Sequence, residues 1–152
     1  MTRVIGIGSP FGDDAIGFEV ARMLAQSPPP GCEVVILDRP GAGLIESLDY
    51  GEPVIIVDAV KSGAPPGTLH RLIFDELENC SAVFVSSHEI GVVAALRLAR
   101  KLGRGPSSGG VLGIEIAAES APFLGPLTAA AQNAVESALP ALRSWIQDLS
   151  SP

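Results

Sequence analysis

The stretch RVIGIGSPFGDDAIGFEVARML (3–24) decides how the chain is read. It opens with RVIGIG (3–8), a short apolar run ending in glycine, as expected of a strand buried on both faces. The apolar period then changes. Ile16, Val20, Met23 and Leu24 fall at i, i+4, i+7 and i+8, one face of a helix over 13–26. SPPPG (27–31) stops that helix, because proline lacks the N–H an inner turn needs. Working outward, EVVILD (33–38) reads as a second strand, GAGLIESL (41–48) as a short helix, and EPVIIVDAV (52–60) as the most apolar and β-branched strand of the chain. Strand, helix and strand in alternation predict a parallel sheet covered on both faces.

The second half is less regular. KSGAPPG (61–67) is a loop, and TLHRLIF (68–74) alternates as an edge strand does, antiparallel being open to it after so tight a connection. Residues 87–102 read as a helix with Val92, Ala95, Leu96, Ala99 and Leu102 on one face, Ser86 and Glu89 forming a capping box at its start. GRGPSSGG (103–110) is a loop, VLGIEIA (111–117) a last strand, and 126–149 a long helix in which Pro140 makes a kink or a break.

Composition narrows the function. At 152 residues the chain fits one domain with its own core, 1–152. No apolar run approaches the ~20 residues that cross a bilayer, and MTRVIGIG lacks the basic start and cleavage site of a secretory signal. The expectation is a cytoplasmic protein without membrane partners. The net charge is −7 and the basic residues are scattered except for Arg97, Arg100, Lys101 and Arg104. These suit the C-terminal end of a helix, where positive charge complements the dipole, better than a phosphate-binding stripe, so nucleic acid is excluded as a partner. Cys32 and Cys80 have neither disulfide-scaffold nor metal-knuckle spacing and read as reduced, packed thiols.

In open parallel sheets, ligands bind beyond the carboxyl ends of the strands, where strand order reverses. Asp13 and Asp14 follow strand one, Asp38 ends strand two, Asp58 ends strand three, and His88 opens the helix at 87–102. If strands one and three are neighbours, Asp14 and Asp58 share one rim. Two carboxylates and an imidazole there suit a divalent ion such as Zn²⁺ or Ni²⁺. Plainer roles compete. Asp13 or Asp14 can simply cap the helix, worth ~1 kcal/mol; His88 alone can be a cap or a surface residue, and His70 reads as surface. Asp58, closing an apolar strand, needs a partner to offset desolvation. The glycines at 6, 8 and 12 form only a poor dinucleotide fingerprint, and the paired aspartates would repel a phosphate where it would have to sit. No G-x-S-x-G elbow occurs.

Three motifs in order, GIGSPFGDDAIG (6–17), IIVDAV (55–60) and SSHEIG (86–91), resemble those of the maturation endopeptidases of NiFe hydrogenases, and the resemblance runs from residue 3 to about 146. It implies an α/β three-layer sandwich whose five-stranded, mostly parallel twisted sheet lies between helices. It also implies Asp14, Asp58 and His88 as metal-contacting and catalytic side chains. The implied activity is removal of a C-terminal peptide from a hydrogenase large-subunit precursor, after nickel has been inserted into that substrate, by a monomeric enzyme. Zn²⁺ or another divalent ion is able to stand in for the substrate-borne Ni²⁺. The general base is unassigned among Asp13, Glu89 and a metal-bound hydroxide. A non-catalytic nickel-sensing or chaperone domain that docks on the precursor is the alternative, and a nucleotide-binding module a weaker one. Many relatives have Gly-Gly after strand two, where this chain has Arg39 and Pro40.

Overall fold

The architecture follows from five apolar strands too short to bury anything alone. In the computed structural model, which describes residues 1–48, 51–79, 91–118 and 124–152, they form one sheet in the order β2-β1-β3-β5-β4. The strands are β1 (Thr2–Gly8), β2 (Cys32–Asp38), β3 (Val54–Val60), β4 (Leu69–Ile73) and β5 (Gly109–Glu115). All neighbours pair in parallel except β4 and β5, so the edge strand does run antiparallel. The tight 61–67 connection returns the chain two strands over, with Gly67 N–H donating to Glu115 C=O at 2.8 Å.

Side-chain alternation along the central strands builds two cores. Val4, Ile55, Val57, Ala59, Leu112 and Ile114 face one side, where α1 (Ile16–Gln26) and the last helix, Ala129–Ser150, cover them. Ile5, Ile7, Val54, Ile56 and Val111 face the other, under α2 (Leu44–Leu48), α3 (Phe74–Asn79) and α4 (Val92–Lys101); the last helix is α5. The three-layer α/β sandwich is thus realised. Among the described residues no helix is long and apolar enough to cross a membrane.

Several boundaries differ from expectation for identifiable reasons. The turn Gly12–Ala15 is a 3₁₀ segment, and α1 proper starts at Ile16. Helix α4 begins at Val92, not 87, because Gly91 takes an extended conformation (φ −63, ψ 153) as its N-cap; Ser86 and Glu89, the expected capping box, lie outside the described residues. Leu102 ends that helix as its C-cap and is 57% exposed, so it leaves the buried stripe. Strand β5 starts earlier, at Gly109, since two glycines let the backbone pass against β3 and β4: a Cβ on Gly109 would lie 1.9 Å from Val54 C=O. Helix α3 was not expected at all. Helix α5 passes through Pro140 without ending.

A close approach at Gly17 fixes α1 on the sheet. A Cβ there would lie 2.1 Å from the Ile7 carbonyl oxygen and 2.6 Å from that of Val57, so the helix rests directly on the carboxyl ends of β1 and β3. Gly12, at φ 56, supplies the left-handed residue that turns the chain off β1.

Candidate functional site

The strand order makes β1 and β3 neighbours, in the register Ile5 to Ile56 and Gly6 to Val57. Asp58 follows on β3, and the 3₁₀ turn bearing Asp14 folds back over the end of β1, with Ser9 N–H donating to Asp14 C=O at 3.3 Å. Asp14 and Asp58 therefore occupy the carboxyl ends of adjacent strands. The Asp14 carboxylate accepts the Ser9 hydroxyl, itself 3% exposed, and the Asp14 N–H donates to Phe11 C=O at 3.1 Å. Asp58 is 1% exposed and lines an apolar cleft with Val60, Leu72, Leu77, Val92 and Val111, close to the first residues of α4. His88 lies outside the described residues. Among the described residues no three His, Cys, Asp or Glu side chains group closely enough to hold an ion.

Asp13 caps nothing on its own helix. Its Oδ1 accepts the Thr128 N–H at 2.8 Å and its Oδ2 accepts the Thr128 hydroxyl at 2.8 Å, while Thr128, the N-cap of α5, accepts the Ala131 N–H at 3.3 Å. The acidic turn is thereby fastened to the last helix, and the Phe11–Leu124 backbone bridge runs alongside.

Asp38 and Arg39 form the next corner of the rim. Arg39 Nε donates to Asp38 Oδ1 at 2.7 Å, its guanidinium lies 5.6 Å from the Phe11 ring centroid, and its N–H donates to Gly8 C=O at 3.0 Å. The carboxylates of Asp38 and Asp14 stabilise its charge.

A second polar cluster at the same edge of the sheet went unread. Glu115 is 1% exposed and accepts the Ser62 N–H at 2.8 Å, the Ser62 hydroxyl, and a hydrogen bond from His70 Nε2 at 3.3 Å. Burial alone pushes its pKa up, but these donors, Ser62 foremost, hold the carboxyl below its ordinary value. His70 is accordingly partly buried and engaged, not the surface residue expected. The reasoning applied to Asp58, a carboxylate closing an apolar strand, would have found Glu115 at the end of VLGIE. Cys32 is a free, half-buried thiol whose pKa burial pushes up; Cys80 lies outside the described residues.

A mixed α/β sheet with an acidic rim at the carboxyl ends of its central strands defines a class of small ligand-handling domains. Within it, residues 19–145 match the model of the hydrogenase maturation protease family, and the chain belongs to that family. It is 29% identical over 153 residues to the hydrogenase expression/formation protein HoxM of Cupriavidus necator, covering 95% of this chain and 75% of that one. It is 30% identical over 98 residues to MJ0253 of Methanocaldococcus jannaschii, a putative hydrogenase maturation protease, covering 62% of this chain and 64% of the other. A HupD protein of Thiocapsa roseopersicina is 29% identical over 116 residues, which cover 74% of this chain and about half, 52%, of HupD. Among solved structures, the hydrogenase maturating endopeptidase HybD from Escherichia coli superposes with a TM-score of 0.78 at 25% identity, over 98% of this chain and 93% of its own. The solution structure of an endopeptidase from Escherichia coli gives a TM-score of 0.83 at 25% identity, over 99% and 94%.

Proposed function

We propose that the protein is an endopeptidase that removes a C-terminal peptide from a NiFe-hydrogenase large-subunit precursor whose nickel has already been inserted, Asp14, Asp58 and His88 meeting that substrate-borne ion. The observation that carries the reading is that Asp14 and Asp58 stand at the carboxyl ends of adjacent strands, with Asp58 nearly sealed from water beside a cleft. Two anionic oxygens and a neutral imidazole nitrogen match a borderline divalent ion, Ni²⁺ or Zn²⁺. Bound there, such an ion supplies Lewis-acid polarisation of the scissile carbonyl or a more acidic water.

The chain's own side chains do the rest. Ser9 fixes the direction of the Asp14 carboxylate through its hydroxyl. Burial of Asp58 raises the strength of its attraction for a cation, since little water screens it. The apolar lining of Val60, Leu72, Val92 and Val111 limits water near the site. Membership of the hydrogenase maturation protease family supports the peptidase reading. The reading includes a cytoplasmic, monomeric enzyme.

The test is to incubate nickel-loaded precursor with wild-type protein, Asp58→Asn and His88→Ala, and to weigh the products by mass spectrometry. Wild type should shorten the precursor, and both variants, folded by circular dichroism, should leave its mass unchanged. Full processing by both variants overturns the site assignment. A wild type that binds the precursor and never shortens it overturns the peptidase reading in favour of a docking domain.

A further inference from the structure

Arg39 is the non-glycine residue with positive φ (42) among the described residues. In that region a Cβ crowds the following carbonyl, and a glycine would hold the same backbone at lower energy. Among the described residues, its contact with the Phe11 ring is the packing that an arginine gains here. Its side chain is 55% exposed, and its ion pair is with the equally exposed Asp38, an arrangement that stabilises a fold little. What the residue does achieve is placement. The backbone N–H is tied to Gly8 C=O at 3.0 Å, at the end of the strand that delivers Asp14. The guanidinium lies 5.6 Å from the Phe11 ring centroid and is held along its Nε–Nη2 side by both Asp38 oxygens, at 2.7 and 3.4 Å. The Nη1 amino group has no partner among the described residues. A planar cation is thus pre-oriented beside an otherwise acidic turn, with donors to spare. Strained residues retained at the edge of a site are characteristic of ligand clamps.

We propose that Arg39 is a specificity-determining residue that binds a carboxylate of the polypeptide substrate next to Asp14. This rests on the proposed endopeptidase function and adds to it the chemistry of one recognised group. A guanidinium pairs with carboxylates through paired N–H donors, a geometry lysine cannot reproduce. The carboxylate comes from the precursor's own C-terminus or from an Asp or Glu side chain within it.

The experiment compares wild type, Arg39→Gly and Arg39→Lys on nickel-loaded precursor, following melting temperature, KM and kcat. Arg39→Gly should melt about 2–4 °C higher, because the left-handed strain is relieved. Its KM should rise about tenfold, the scale of one charge-assisted hydrogen bond, with kcat within about twofold. Arg39→Lys should keep the wild-type melting temperature and show an intermediate KM. Precursors with an amidated C-terminus, or with acidic residues of the cleaved peptide changed to amides, identify the source: on the substrate lacking the recognised carboxylate, wild type and Arg39→Gly should have equal KM. Unchanged KM in Arg39→Gly, or a loss that persists on every carboxylate-free substrate, overturns the proposal while Asp58-dependent cleavage still stands. A wild type that cleaves none of the precursors removes both.

Discussion

Removing the Asp13 carboxylate gives the sharpest test of how the site is assembled. Asp13 is 5% exposed, and its two oxygens accept the Thr128 N–H and hydroxyl, both at 2.8 Å. Hydrogen bonds to a charged acceptor contribute roughly 1.5–3 kcal/mol each, and a buried donor left without a partner costs about as much. Asp13→Ala deletes both acceptors and strands the Thr128 N–H at the start of α5. We therefore expect a loss of about 3 kcal/mol in urea unfolding, or about 6–12 °C in Tm for a chain of this size. Asp13→Asn keeps one acceptor and turns an amide donor toward the hydroxyl, which can accept it, so the loss should fall to about 1 kcal/mol. Thr128→Val removes the hydroxyl bond and the cap to Ala131, for about 1–2 kcal/mol. The double variant Asp13→Ala/Thr128→Val should be less destabilised than the sum by about 1 kcal/mol or more, because both singles delete one shared bond. A loss under about 0.5 kcal/mol for Asp13→Ala, or full additivity, would refute the claim that this contact fastens the acidic turn.

Two further outcomes follow from the packing and the second polar cluster. Glu115 has a pKa lowered in the fold, so its stabilisation is whole above the ordinary carboxylate range and is lost as pH falls through the lower folded value. Tm against pH should show Glu115→Gln about 1–3 kcal/mol less stable than wild type at neutral pH, the gap closing in acid; a gap that widens in acid would contradict the assignment. Gly17→Ala should cost about 3 kcal/mol, since its Cβ meets backbone oxygens at 2.1 and 2.6 Å that cannot swing aside. Gly43→Ala, with nothing within 4 Å, is the matched control and should stay within about 0.5 kcal/mol in the same denaturant series.

The parts legible in the sequence were those written in local period. RVIGIG announced a buried strand, EVVILD and EPVIIVDAV two more strands, of which β2 is a half-exposed edge and β3 buried throughout, and the change of period after Gly12 announced α1. The rim positions of Asp14 and Asp58 followed from topology, which the parallel order of β1 and β3 supplies. Helix α3 was missed because FDELEN is too short to show a stripe. The start of α4 was misplaced because Gly91 interrupts a run whose apolar spacing looked continuous. Long-range partners were illegible in principle: Asp13 meets a residue 115 positions away, and Glu115 meets one 53 positions away. Neighbouring residues suggested for Asp13 a cap on its own helix, and the fold instead uses that carboxylate on Thr128, 115 residues on.

That fastening has a consequence for timing. The acidic turn is synthesised well before Thr128 and Leu124, which hold it from the other side: 115 residues separate Asp13 from Thr128. Synthesis of β1, β3 and their aspartates therefore precedes that of the residues that lock the turn. A nascent chain that stops short of Thr128 carries the acidic residues without this contact, which forms only when α5 docks.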